Sequence, residues 1–250
     1  MNDDAILVAE RLTKKFGEFV ANKDISVRVR RGKLTSIIGP NGAGKSTFFN
    51  MVSGALVPSS GRLLFEGRDL NGLPRHRFAR LGIAKSFQIT NVFPLLSVLE
   101  NVRSAVQAQH TQFNLWTPRA RMTEYVRVAE ALLERVELID KRHLRAHQLA
   151  HGEQRSLEVA LALASDPKLL LMDEPTAGMS PEETVAMMHL ITQLARERTV
   201  VLVEHKMKLV MGISDRIIVL HHGELLAEGA PDDIRANEEV KRVYLGSSGQ

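Results

Sequence analysis

Apolar and polar positions alternate along the start of the chain. Ile25, Val27 and Val29 fall on one side and Ser26, Arg28 and Arg30 on the other, the period of a half-buried antiparallel strand. Residues 34–38 form a short β-rich run that stops at Gly39-Pro40, and a helical pattern follows from Lys45 through Ser53. Residues 61–65 predict another strand, with a turn over Glu66-Gly67-Arg68-Asp69. Near Ile89 the rhythm changes, and no strand pattern recurs until after Ser165. Residues 97–109 predict a helix with Ser97 as N-cap and Glu100 closing a capping box. Pro118 opens a second helix reaching about Glu137, with Val126, Ala129, Leu132, Leu133 and Val136 on one face. A third helix covers 152–165 and is stopped by Asp166-Pro167.

Beyond that point strands and helices alternate. Residues 169–172, 199–203 and 216–220 are apolar strands, separated by a helix from Pro181 with Ser180 as N-cap and a short helix over 206–212. A hairpin strand at 224–228, short helices and a polar tail expected to fray complete the chain. Wholly apolar strands alternating with helices imply a parallel sheet covered on both faces. The expected fold is therefore an α/β core with an N-terminal antiparallel β subdomain and an inserted helical subdomain. The core takes residues 1–88 and 166–250, and the helical part 89–165.

Composition narrows the chemistry. The 250 residues carry 33 Lys and Arg against 29 Asp and Glu, a formal net charge of +4 that discriminates little among partners. The basic groups Arg28, Arg30, Arg31 and Lys33; Arg75, Arg77 and Arg80; and Lys141, Arg142 and Arg145 read as solvated surface. With no cysteine, disulfides, thiolate metal sites and a Cys nucleophile are excluded. Met1-Asn2-Asp3-Asp4 lacks the pattern of a signal peptide, and no apolar run approaches the roughly 18 residues of a membrane span. The chain is expected to be soluble.

The sharpest motif is Gly39-Pro40-Asn41-Gly42-Ala43-Gly44-Lys45-Ser46-Thr47, a P-loop between a predicted strand and a predicted helix. Its glycines let backbone N–H groups turn inward around phosphates, and the helix N-terminus adds its positive dipole end. Lys45 is placed for the β- and γ-phosphates, and the Ser46 hydroxyl for Mg²⁺. A second signal is the apolar strand ending in Asp173-Glu174-Pro175. Parallel α/β sheets bind ligands at that end of their strands. Asp173 is placed to hold Mg²⁺, and Glu174 to polarise a water in line with the γ-phosphate.

Between these motifs stands Leu149-Ala150-His151-Gly152-Glu153-Gln154-Arg155, which resembles the signature motif of ATP-binding cassette (ABC) ATPases, usually Leu-Ser-Gly-Gly-Gln. P-loop, signature and acid pair occur in that family's order. Gln88 resembles the Q-loop glutamine, His205 the switch histidine and Phe16 the aromatic that stacks on adenine, and 177–180 occupies the D-loop. The resemblance implies a P-loop NTPase fold and an ATPase using ATP and Mg²⁺. It implies Ser46, Gln88 and Asp173 at the metal and Glu174, His205 and Gln88 in hydrolysis. Phe16, the P-loop, Ala150, Gly152 and Glu153 would be at the nucleotide. Two cassettes pair head to tail in that family, and the helical subdomain and the Gln88 loop form a groove for membrane permease subunits.

Two departures stand out. Position 150 is Ala where the family has Ser, and position 180 is Ser where it has Asp. His221, His222, His143 and His147 gain no role from the family pattern and read as turn or surface residues. The stretch 86–102, the run 152–160, Ala177-Gly178-Met179, 228–234 and 243–246 resemble ATPase subunits of bacterial branched-chain amino acid importers, with urea and short-chain amide importers as close relatives. That implies a peripheral subunit on the cytoplasmic face of the inner membrane, served indirectly by a substrate-binding protein, with no nucleic acid. Two readings stay open beside it: an ABC ATPase acting on nucleic acid or ribosomes, and a cassette that binds ATP but barely turns over, suggested by Ala150.

Overall fold

The computed structural model describes residues 4–86, 92–110 and 119–246. Among these, the strands form two sheets. The antiparallel sheet has the order β2-β1-β4-β5, from β1 (Ala5–Phe16), β2 (Phe19–Arg30), β4 (Ser60–Phe65) and β5 (Arg68–Asp69). The burial of β2 follows the predicted alternation, with Ile25, Val27 and Val29 inside and Ser26, Arg28 and Arg30 outside. The second sheet has the order β10-β9-β3-β8-β7-β6, from β3 (Leu34–Ile38), β6 (Ile83–Ser86), β7 (Leu169–Asp173), β8 (Thr199–Val203), β9 (Arg216–His221) and β10 (Glu224–Gly229). All its neighbours pair in parallel except β9 and β10. All residues of β3 and β8 are buried, as a strand covered on both faces requires.

Helix α1 (Lys45–Val52) leaves the C-terminal end of β3, so the P-loop lies at the centre of the parallel sheet. It packs Phe48, Phe49, Met51 and Val52 between the two sheets. Helix α2 (Arg75–Leu81) was not foreseen. It is short and basic and buries only Phe78, so it has no apolar stripe to read. The elements α3 (Val98–His110), α4 (Arg119–Arg135) and α5 (His151–Leu163) pack around Val102, Ala129, Leu133 and Leu157, in a core continuous with one face of the parallel sheet. Pro118 lies outside the described residues. Ser97 Oγ accepts from the Glu100 N–H at 3.1 Å, as predicted. The other half of that capping box does not form, because the Glu100 carboxylate pairs with Arg103 instead. The chain then runs through α6 (Pro181–Ala195), α7 (Met207–Ile213), α8 (Pro231–Ala236) and α9 (Glu238–Gly246).

Candidate functional site

The P-loop closes over the N-terminus of α1. Gly39, Gly42 and Gly44 have φ of 157°, 78° and 90°. A Cβ at Gly44 would lie 2.4 Å from Asn22 Nδ2 and 2.7 Å from the Ala21 carbonyl oxygen, so glycine is required there by backbone angle and by space. Asn22, fully buried on β2, donates Nδ2–H to the Gly44 carbonyl at 3.2 Å and braces the loop from outside. Lys45 Nζ donates to the carbonyls of Gly39 and Pro40 at 2.8 and 3.0 Å. Burial lowers its pKa, while Glu174 and Asp173 act in the opposite direction. Those two carboxylates therefore lie within electrostatic reach of the lysine.

Asp173 ends β7. Burial pushes its carboxyl pKa up, and Lys85 opposes that rise from the adjacent strand, with Nζ 3.6 Å from Oδ2. Lys85 was not singled out from the sequence. It also donates to Asn50 at 3.0 Å and lies 4.8 Å above the Phe49 ring. Ser46 and Asp173 offer hard oxygen donors of the kind Mg²⁺ takes, with phosphates and water completing its shell. Among the described residues no group of three or more His, Asp or Glu side chains could hold a metal by itself. An ion here would need ligands from elsewhere, as one that arrives with a nucleotide has.

Glu174 follows at once and turns the chain sharply. Its φ is 46°, its N–H donates to the Val203 carbonyl at 2.9 Å, and its own carbonyl accepts from Ala177 N–H at 3.1 Å. His205 stands just past β8, with Nδ1 3.9 Å from Glu174 Oε1. Phe16, at the tip of β1, is 48% exposed, and Lys14 Nζ lies 5.2 Å from its ring centre, leaving an accessible aromatic face. Gln88 lies outside the described residues.

The signature residues open α5. Ala150 is its N-cap and offers no side-chain acceptor. Glu153 turns back to accept from the Ala150 N–H at 3.0 Å and pairs with Lys141, which holds its carboxyl below the usual carboxylate range. The Gly152 N–H donates to Oε1 of Glu183 on α6 at 3.0 Å, and His151 Nε2 lies 3.2 Å from the Ala177 carbonyl oxygen. His151 is therefore drawn to the D-loop of its own chain. Ser180 caps α6 as predicted, its Oγ accepting from Glu183 N–H at 3.2 Å while Glu183 Oε2 accepts from Ser180 N–H at 2.9 Å.

Comparison with known proteins identifies the family. A family model described as ABC transporter matches residues 22–177. The chain belongs to the ABC transporter family. It is an ATP-binding cassette ATPase, hydrolysing ATP in support of transport. A second model, described as branched-chain amino acid ATP-binding cassette transporter, matches residues 224–249. The cassette is 40% identical to the high-affinity branched-chain amino acid transport ATP-binding protein LivG of Salmonella typhimurium, over 97% of this chain and 98% of that one. It is 39% identical to BraF of Pseudomonas aeruginosa, a protein of the same description, with the same coverage. Among solved structures, the ADP conformation of an ATP-binding cassette of an ABC transporter superposes with a TM-score of 0.86 at 30% identity, over 97% of this chain and 99% of that one. A dimeric cassette in a post-hydrolysis state with ADP and Pi gives 0.76 at 28% identity, over 90% and 98%.

Proposed function

We propose that this cassette energises an importer of branched-chain amino acids. The observation that carries this reading is its 40% identity to LivG along almost the full length of both chains. The match over residues 224–249 supports it from a segment outside the ATPase motifs.

In this reading the P-loop N–H groups and Lys45 hold the phosphates, Phe16 stacks on adenine, and Ser46, Asp173 and Gln88 hold Mg²⁺. The ion supplies charge neutralisation at the phosphates. Glu174 takes a proton from the attacking water, and His205 holds a hydrogen bond at the same locus. Two copies, or this chain and a related cassette, pair head to tail, and the α5 N-terminus with Ala150, Gly152 and Glu153 faces the partner's nucleotide. ATP then prefers the paired state, and that difference in affinity is what moves the transporter.

Helices α3 to α5 form the helical part that meets the permease subunits. A cleft of ≈ 270 Å³ between α2, β6, α3 and α5, lined by Phe78, Ala84, Ala105, Leu161 and Ala162, supports this, because it is largely apolar and open at the boundary with the core. In the loop before α3, Phe93 and Leu95 are 59% and 72% exposed. Their loop is held from below by buried Asn101, which accepts from Phe93 N–H at 2.7 Å and donates to the carbonyls of Phe93 and Ser97 at 3.0 and 2.9 Å. As the ATPase of an importer, the subunit would work from the cytoplasmic face of the inner membrane; among the described residues no helix is long and apolar enough to cross a membrane.

The experiment is reconstitution of the cassette with the permease subunits that co-purify with it and their binding protein. Phosphate release that rises with leucine, isoleucine or valine supports the reading. A response only to urea or amides, or co-purification with RNA and no permease, overturns it.

A further inference from the structure

One fully buried carboxylate in the molecule has no place in the scheme above. Glu204 follows the last residue of β8 and is 0% exposed. Every residue of β8 before it is apolar or threonine and buried, so the strand delivers a charged side chain into the interior at the catalytic end of the sheet. A buried carboxylate is tolerated only when its oxygens are satisfied. Glu204 meets that condition with three donors from two directions. Oε1 accepts from Thr176 N–H at 3.3 Å and from Thr176 Oγ1–H at 2.5 Å. Oε2 accepts from His205 N–H at 3.2 Å.

Thr176 and His205 belong to different strand ends. Thr176, also 0% exposed, lies two residues after Glu174 in the turn that leaves β7. His205 lies on the segment leaving β8. Glu204 is thus a bridge between the turn carrying the candidate base and the segment carrying the candidate switch histidine. His205 Nδ1 stands 3.9 Å from Glu174 Oε1 and 4.0 Å from Glu204 Oε2, almost midway between the two carboxylates.

The turn needs such a bridge. A non-glycine residue at a φ of 46° is held in a sparsely populated region and persists only where its surroundings over-determine it. The Glu174 N–H bond to Val203 fixes one side of the turn, and the Glu204–Thr176 pair fixes the other.

We propose that Glu204 is a positioning residue for hydrolysis, holding Glu174 and His205 at their working separation through Thr176 and the His205 backbone. This rests on the assignment of Glu174 and His205 given above. Glu204→Gln keeps the shape but replaces one acceptor oxygen by an NH₂ donor, so the bond from either the Thr176 N–H or the His205 N–H is lost. Thr176→Val removes the hydroxyl donor from the other side, and Thr176→Ser restores it.

The test is steady-state phosphate release by the full chain with ATP and Mg²⁺, with ATP affinity measured separately. Glu204→Gln and Thr176→Val should each lower kcat roughly 10- to 100-fold, the scale on which a misplacement of about 1 Å acts, with KM and ATP affinity within about two-fold of wild type. Thr176→Ser should recover most of the rate. In a His205→Ala background Glu204→Gln should add little, since the two act through one geometry. A wild-type kcat in folded Glu204→Gln, or failure of Thr176→Ser to recover what Thr176→Val loses, overturns the proposal. So does a loss in kcat that adds in full to that of His205→Ala. Full turnover in Glu174→Gln would instead reject the assignment of the base, which separates the two failures.

Discussion

The backbone N–H of Gly152, at the head of the signature helix, is bonded within its own chain to Oε1 of Glu183 at 3.0 Å. A Cβ at Gly152 would lie 2.7 Å from that same oxygen, so a larger residue there would push the Glu183 carboxylate aside. A phosphate approaching this helix from a partner must therefore displace a carboxylate. In the proposed head-to-tail pair, the absence of a hydroxyl at Ala150 and the occupation of the Gly152 N–H would act in the same direction, against closure.

Glu183→Gln isolates that effect. The amide oxygen can still accept from Ser180 N–H and keep the capping box of α6. Its NH₂ group cannot accept from Gly152. In a Glu174→Gln background, ATP-dependent dimerisation followed by sedimentation should strengthen by roughly ten-fold or more, the worth of one hydrogen bond to a charged group. Ala150→Ser should strengthen it as well, and by more when combined with Glu183→Gln. An unchanged dimer constant in both variants would show that the signature helix does not face the partner's phosphate.

Loss of the candidate base should separate binding from chemistry. Glu174→Gln is expected to retain ATP affinity and lose about 10²- to 10⁴-fold in phosphate release, the usual contribution of general acid–base catalysis. Lys45→Ala should do the reverse first, weakening ATP binding in a filter or fluorescence assay, because it removes a charge-assisted contact to phosphate.

The exposed aromatic at position 93 sits on a backbone anchored by Asn101, so a charge there changes the surface and leaves the fold in place. Phe93→Asp should abolish co-purification with the permease subunits while ATP binding and the unfolding midpoint stay at wild-type values. Intact co-purification would place the docking surface elsewhere.

Tyr244, on α9, reports on the alkaline limit of stability. Burial pushes its pKa from 10.0 up to about 12, with the Gly39 backbone beside the hydroxyl acting against the rise. Below pH 10 the phenol is protonated both folded and unfolded and contributes no pH dependence. As pH rises from 10.0 toward about 12 the unfolded chain releases the proton and the folded chain does not, so stability falls over that window. Urea midpoints measured across it should fall less steeply in Tyr244→Phe than in wild type. Equal slopes would mean that the hydroxyl is not buried in the folded chain.

Much of the molecule was legible from residue order. The run 34–38 and the glycines after it specify a strand, a phosphate loop and a helix start locally, because φ, hydrogen bonding and apolar period are all set within a few neighbours. The same holds for Ser180 and Pro181 at the head of α6, and for the apolar strand delivering Asp173. The family resemblance added the order of the motifs and, with it, the roles expected of Glu174 and His205. What only tertiary structure decided are the contacts between residues far apart in sequence. Lys85 meets Asp173 because β6 and β7 are neighbours, and Glu183 meets Gly152 because α6 packs against α5. Glu204 meets Thr176 because the ends of β7 and β8 lie side by side. In sequence each of these is an ordinary charged residue. Its partner is chosen by strand order and helix packing, and no local period or spacing records that choice.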